Sequence, residues 1–268
     1  DRSTYVAHGQ NFAQNFNVAD PALWSPESPS LYTADTRLYA ADGRELDAYT
    51  TRFGIRSIEY IPERGFFLNG KTTKFKGVCN HHDLGPLGAA VNRSALRHQI
   101  ELLKDMGVNA IRTSHNMPAP ELVELCDEMG MMLMIEPFDD WSFRPKSPNG
   151  YGAVFNEWAE KDITNMVEHF RNSPSVVMWS IGNEVPSQWG PDGVAELTML
   201  QDLVHALDPT RPVTCGMDQI GAVLDNGFAA ALDIPGFNYK PQYYDEAYAK
   251  LPQRLILGSE TASTVSSR

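Results

Sequence analysis

The sequence predicts an α/β protein: a (β/α)8 barrel truncated after its seventh strand, preceded by a few strands of a small β-sandwich. Three observations predict it. From about residue 75, apolar runs alternate with amphipathic helical patterns, as in parallel strands joined by crossover helices. Two of the runs, Val176-Val177-Met178-Trp179-Ser180-Ile181-Gly182-Asn183-Glu184 and Leu255-Ile256-Leu257-Gly258-Ser259-Glu260, begin apolar and end on a glutamate. In parallel α/β folds the C-terminal strand tips carry the chemistry, so both acids should reach one rim. Before residue 60 the pattern is that of a hairpin turning at Asp42-Gly43. An open doubly wound sheet is the alternative. It suits a count of seven strands, but does not explain two acids at the tips of strands four and seven.

In chain order, residues 1–20 are polar and irregular, and residues 21–29 read as a turn-rich connection. Residues 31–39 and 47–53 are the strands of the hairpin. Residues 1–60 are therefore assigned to a partial sandwich and residues 61–268 to the barrel domain. Phe66-Phe67-Leu68-Asn69-Gly70-Lys71 reads as a second hairpin with an Asn-Gly turn. The first barrel strand lies around Phe75-Lys76-Gly77-Val78-Cys79. Asn92 suits a helix cap, with Leu96, Ile100 and Leu103 on one face behind it. Strand two is 110–114. Pro120 fits the first turn of a helix carrying Leu122, Leu125, Cys126 and Met129, which Gly130 closes. Strand three is 131–135. The loop 139–151 is rich in Pro, Gly and Ser. Loops this long at strand tips line sites, so its Trp141 is expected to stack on a bound ring. A helix over 158–170 leads to strand four, 176–184. A helix over 191–207 leads to strand five, 211–217. Strand six is 234–239, a short helix is 243–250, and strand seven is 255–260.

Composition narrows the function classes. The 268 residues are 42% hydrophobic and 21% charged, a globular balance. A formal charge of −12 argues against nucleic acid as a partner. No apolar stretch reaches the roughly 18 residues of a membrane-spanning helix, so no membrane partner is expected. Cys79, Cys126 and Cys215 show neither metal spacing nor a disulfide framework and read as small buried hydrophobes. The chain opens like the middle of a longer polypeptide. That leaves the compartment unknown, periplasm or cytoplasm.

Two strand-tip glutamates form the kind of carboxylate pair that cleaves a glycosidic bond. Glu184 suits the general acid. Glu260 suits the nucleophile, provided hydrogen-bond donors keep it ionised, and Tyr239, one strand away, can supply one. Asn183 can donate to a sugar hydroxyl. His81-His82-Asp83 follows strand one and Ser114-His115-Asn116 follows strand two, both at the same rim. These residue types also ligate zinc, but there is no helical i,i+4 His pair, so no metal site is assigned. Arg112 can anchor a carboxylate. Glu136, Asp139 and Asp140 follow strand three and can bind hydroxyls. His98, His169 and His205 fall on helices and are read as structural. A barrel that binds glycans without cutting them is the rival class, and the paired acids argue against it.

The motifs Phe75-Lys76-Gly77-Val78, His81-His82, Arg112-Thr113-Ser114-His115, Trp179-Ser180-Ile181-Gly182-Asn183-Glu184, Asn238-Tyr239 and Gly258-Ser259-Glu260 occur in one order. With them the chain resembles glycoside hydrolase family 2, close to the beta-galactosidases. The segment Arg52-Phe53-Gly54-Ile55-Arg56 resembles the end of that family's immunoglobulin-like domain. The resemblance implies a TIM barrel, Glu184 as acid/base and Glu260 as nucleophile. It implies that Asn183 binds substrate, Tyr239 supports the nucleophile, and His81 or His82 and His115 line the sugar site. It implies retention of anomeric configuration on terminal beta-D-galactosides, with beta-glucuronides and other beta-glycosides as rivals. The partner would be a beta-linked oligosaccharide or glycoside, and a homo-oligomeric full-length parent is compatible with this. No cofactor is expected. The large metal-dependent members hold magnesium through a Glu and a His after strand three. Here Asp140 sits near the Glu position and no His follows, which argues against magnesium.

Overall fold

The computed structural model describes residue 15 and residues 17–263. Most of the polar stretch 1–20 therefore lies outside the described residues. Strands β1 (Tyr32–Tyr39) and β2 (Glu45–Phe53) form an antiparallel hairpin. Gly43 takes a φ of +84° in its turn, a left-handed conformation that glycine adopts without a Cβ clash. Arg52, near the end of β2, pairs with Glu128 at 2.8 Å. Arg93 pairs with Glu124 and the same Glu128, so the ion network ties the hairpin to the barrel helices.

A second small sheet, β3 (Ile58–Ile61), β4 (Gly65–Leu68) and β5 (Lys71–Thr72), is antiparallel. Asn69 and Gly70, at φ +51° and +74°, make the β4–β5 turn that the Asn-Gly pair predicts. The sheet begins at Ile58, so a boundary at residue 60 falls within β3. It packs at the N-terminal end of the barrel strands. Phe66 and Leu68 bury against Met132, Val177 and the fully buried Trp24. The Tyr60 hydroxyl donates to the Val177 carbonyl at 2.9 Å. Arg56 donates to the carbonyls of Pro174 and Val176, and its burial lowers its pKa to about 9.

From residue 77 the chain alternates strictly. The strands are β6 (Gly77–His81), β7 (Ala110–Ser114), β8 (Met132–Ile135), β9 (Val176–Asn183), β10 (Val213–Met217), β11 (Gly236–Asn238) and β12 (Leu257–Glu260). The helices between them are α1 (Arg93–Asp105), α2 (Pro120–Met129), α3 (Phe155–Phe170), α4 (Gly193–Leu207), the short pair α5 (Ile220–Asp225) and α6 (Phe228–Ala231), and α7 (Tyr244–Lys250). All seven strands are parallel, and each pairs with its neighbour in the sequence. Such an order never reverses, which excludes a doubly wound sheet. The sheet curls into a nearly closed (β/α)8-type barrel. Cys79 Sγ on β6 lies 3.3 Å from the Ser259 carbonyl on β12, although the two strands are not paired.

Local chemistry explains the helix ends. Asn92 Oδ1 accepts from the Ala95 amide at 3.0 Å and caps α1. Gly130 closes α2 at φ +72°, so close to Pro26 that a Cβ would stand 2.4 Å from its carbonyl oxygen. The core fills the layer between sheet and helices, with Ile163, Met166, Val167, Leu197, Leu200 and Val204 all fully buried. β9 is the middle strand, and each of its residues is buried. An apolar run suits that position. A buried Ser180 and Asn183 do not, unless they are hydrogen-bonded. Among the described residues, no helix is long and apolar enough to cross a membrane.

Candidate active site

The site is built where β7, β8, β9, β11 and β12 end. β9 delivers Asn183. The next residue, Glu184, bends into the left-handed region at φ +48°, and its amide donates to the Gly216 carbonyl on β10 at 2.7 Å. A non-glycine residue held there costs on the order of 1–3 kcal/mol, which the surrounding contacts must offset. Glu184 Oε1 accepts from Asn238 Nδ2, on β11, at 2.9 Å. The same amide donates to Asn183 Oδ1 at 2.7 Å, and Asn183 Oδ1 also accepts from Arg112 Nη2 at 2.8 Å. Ser259 Oγ completes Asn238 by donating to its Oδ1 at 2.7 Å.

Arg112, on β7, is 3% exposed and lies between two carboxylates. Its Nε and Nη2 donate to Glu136 Oε2 at 3.2 and 2.7 Å, and its Nη1 donates to Glu260 Oε1 at 2.7 Å. Glu136 has no solvent exposure. It also accepts from Ser180 Oγ at 2.6 Å and from His115 Nδ1 at 2.6 Å. Glu260 Oε2 accepts from the Tyr239 hydroxyl at 2.6 Å. The two strand-tip glutamates are thus joined through Asn238, Asn183 and Arg112, with Glu136 as a buried counter-charge.

The electrostatics follow from these partners. Burial pushes the Glu260 carboxyl up, but the Tyr239 hydroxyl and the Arg112 guanidinium outweigh it and hold the group below the usual carboxylate range. Burial likewise opposes ionisation of Glu136, and Arg112, His115 and Ser180 outweigh it. Arg112 is itself desolvated, yet Glu136 chiefly raises its pKa. The hydrogen bond to Glu260 raises Tyr239. Gly216 makes room for the network. A Cβ there would lie 2.7 Å from Asn183 Oδ1, 2.8 Å from Arg112 Nη2 and 3.0 Å from Asn238 Oδ1.

Of the residues expected from sequence, Arg112, His115, Asn183, Glu184, Tyr239 and Glu260 come together here. His81 stands beside them, its ring edge-on to His115 at 5.2 Å. His82 is exposed and its Nε2 contacts the Ala89 carbonyl at 2.9 Å, apart from the network. Asp139 is half-buried, with Lys146 Nζ 3.4 Å away. Asp140 is buried and organises the loop, accepting from the amides of Lys146 and Gly152. With Asp140 turned onto loop amides and the Lys146 ammonium beside Asp139, this donor set does not fit magnesium.

Trp141 corrects the expectation of a stacking ring. It is fully buried, its indole N–H donates to the Ile181 carbonyl at 3.0 Å, and it packs on Phe155 and Phe228. Gly182 allows this, since a Cβ there would meet Trp141 Nε1 at 2.9 Å. Trp141 therefore supports the backbone just before Asn183 and presents no face to a ligand. Two neighbours escape sequence reasoning in their structural roles, Glu136 as the anchor of Arg112 and Asn238 as the donor to Glu184. Lys146 escapes it altogether. Its Nζ donates to the Asn183 carbonyl at 2.7 Å, and nothing in its loop sequence signals that. Ser180 carried a signal, as a polar residue in an otherwise apolar buried strand.

A cavity of about 850 Å³ runs through the barrel and opens between β6 and β12, lined among others by Cys79, Arg112, Met178, Tyr239 and Glu260.

Fold and site together define a (β/α)8-type barrel with a carboxylate pair at its C-terminal rim. The chain belongs to glycosyl hydrolase family 2: the family's TIM barrel domain matches residues 60–250, and a second family 2 domain matches residues 1–56. It is 38% identical over 96% of its length to a beta-galactosidase of Bacteroides ovatus, of which it covers 34%. It is 44% identical over 82% of its length to a putative beta-glucuronidase of Formosa agariphila, of which it covers 20%. The crystal structure of a family 2 member from Bacteroides cellulosilyticus superposes with a TM-score of 0.85 at 41% identity, covering 90% of this chain and 31% of that one. The chain thus spans about a third or less of the length of these relatives.

Proposed function

We propose that the protein is a retaining, exo-acting beta-glycosidase that removes terminal non-reducing beta-D-galactosyl groups. The contrast between its two glutamates carries the reading. Glu260 rests on a guanidinium and a phenol and is held as the anion, while Glu184 accepts from one neutral amide side chain, Asn238. Environments that differ in this way divide nucleophile from acid/base. In the first step a Glu260 oxygen bonds to the anomeric carbon, the glycosidic C–O bond breaks, and Glu184 gives its proton to the departing oxygen. In the second, Glu184 takes a proton from water, the water oxygen bonds to the same carbon, and Glu260 leaves. Asn183, His81 and His115 line the pocket in which the sugar lies, and Tyr239 and Arg112 keep Glu260 ionised. The residues before β3 then belong to a partial immunoglobulin-like domain, and those from Ile58 onward to the catalytic barrel.

The galactoside reading rests on the Bacteroides ovatus relative, whose similarity extends over nearly the whole chain. The similarity to a putative beta-glucuronidase supports beta-glucuronides as the second reading. Aryl beta-galactoside and aryl beta-glucuronide, offered to the full-length protein, decide between them, and turnover of neither supports a glycan-binding barrel. Roles are tested with azide. In Glu184→Gln, azide attacks the glycosyl-enzyme and the product is the beta-azide. In Glu260→Gly, azide attacks the substrate directly and the product is the alpha-azide. An alpha product from the Glu184 variant overturns the assignment.

A further inference from the structure

We infer that Lys146, in the loop after β8, is a positioning residue for Glu184: its ammonium holds the peptide between Asn183 and Glu184 in the tilt that aims the acid/base carboxyl. The inference rests on the glycosidase reading above and adds a residue on which proton transfer depends. Its origin is a mismatch in strand length. β8 ends at Ile135, opposite Trp179, whereas β9 runs on to Asn183. Past Trp179, β9 therefore finds no strand partner in β8. Side chains of the loop take over. Trp141 Nε1 donates to the Ile181 carbonyl at 3.0 Å, and Lys146 Nζ donates to the Asn183 carbonyl at 2.7 Å.

The second of these bonds falls on the peptide that leads into Glu184. A peptide unit is planar, so its carbonyl and its N–H turn together. In the unit joining Asn183 to Glu184, the N–H end donates to the Gly216 carbonyl on β10 at 2.7 Å, and the carbonyl end accepts from Lys146. Held at both ends, the plane resists rotation, and its tilt sets the φ of Glu184 at +48°. That left-handed conformation is unfavourable for a residue with a Cβ, so it persists only while the surroundings impose it. With the carbonyl released, the plane can pivot on the Gly216 bond and Glu184 relaxes. Its carboxyl then leaves Asn238 Nδ2, which stands 2.9 Å away in the clamped arrangement.

Lys146 is itself held. Its amide N–H donates to both carboxylate oxygens of Asp140, at 3.1 and 3.2 Å, and Asp140 is buried. Gly150 and Gly152 close around that carboxylate, where a Cβ on either would stand 2.8 Å from Oδ2. Ser142 Oγ donates to Glu196 on α4, which fastens the loop to a barrel helix. Asp139 Oδ2 lies 3.4 Å from Lys146 Nζ and balances its charge. The lysine side chain is 31% exposed, so removing its ammonium opens no gap in the core. A charged donor on a four-carbon stem thus spans from an anchored loop to the strand tip, and charge strengthens the bond it makes there.

The test uses the full-length protein and two aryl glycosides of whichever sugar it cleaves, one releasing 2,4-dinitrophenol and the other phenol. Dinitrophenolate departs without a proton, whereas phenol needs the one that Glu184 gives. In Lys146→Met, which keeps the stem and loses the donor, kcat/KM on the phenyl glycoside should fall about tenfold, part of the roughly 10²–10⁴-fold that a positioned general acid contributes. On the dinitrophenyl glycoside kcat/KM should stay near the wild-type value. The second step still needs Glu184 as base, so on that substrate kcat and KM should fall together, and azide should raise kcat in the variant but not in the wild type. Lys146→Arg keeps a charged donor and should regain most of the phenyl rate. Equal losses of kcat/KM on both glycosides would make Lys146 a general support of the pocket and overturn the inference, as would no loss on either. Wild-type protein that cleaves neither glycoside of any sugar offered removes the glycosidase reading, and this inference with it.

Discussion

At the scale of single residues, the site depends on a buried charge balance. Glu136 and Glu260 share Arg112, and Glu136 is the partner without solvent. Glu136→Gln should destabilise the protein by about 3–5 kcal/mol in denaturant titration, the usual cost of breaking a buried ion pair by removing one partner. Glu136 and Glu260 both ionise more readily folded than unfolded. Their contribution to stability is therefore complete above the ordinary glutamate pKa of about 4.3, and is lost as pH falls from there through the folded values. Unfolding followed against pH should steepen below that point, and Glu136→Gln should flatten the dependence. Asn238→Ala leaves buried Ser259 Oγ without its acceptor and should cost about 1–3 kcal/mol of stability, and it should lower kcat by depriving Glu184 of its amide donor. A circular dichroism melt beside the rate measurement separates the two effects.

At the scale of elements, backbone placement decides more than side-chain identity. β10 supplies no side chain to the network, yet Gly216 is the position around which three polar side chains close. Gly216→Ala should abolish activity while the far-ultraviolet spectrum stays native. If the rate survives, the close packing of Asn183, Arg112 and Asn238 is not needed. The loop after β8 works in the same indirect way. Trp141→Ala removes a buried indole and should cost about 3–5 kcal/mol of stability. Its effect on KM should be secondary, opposite to what a stacking role would require. The periodic elements were legible in the sequence, because Leu96 and Ile100 on α1 or the unbroken run of β9 are set by burial on one face or on both. The burial of Trp141 was not, because a Pro-, Gly- and Ser-rich loop has no period from which to read which side chains turn inward.

At the scale of the whole molecule, β6 and β12 are edges of one curled sheet, and a large cavity opens between them. Unpaired edges are templates for association. The hairpin adds exposed Leu38, Tyr39, Leu46 and Tyr49. The 268-residue chain made alone should therefore elute from size exclusion as larger species, more so than the full-length protein, and a sharp monomer peak would contradict this.

By itself the sequence determined the order of strands and helices, the hairpins at Asp42-Gly43 and Asn69-Gly70, and the arrival of Asn183-Glu184, Tyr239 and Glu260 at strand ends. These are local properties: hydrophobic period, turn chemistry and the position of a polar residue after an apolar run. Only the tertiary structure decided that Arg112 reaches Glu260, 148 positions away, that Glu136 is its buried counter-charge, and that Asn238 holds Glu184. The physical reason lies in barrel closure. Curling the sheet brings side chains from strands that are not neighbours in it, such as Arg112 on β7 and Glu260 on β12, within hydrogen-bonding distance, and no spacing along the chain records that approach.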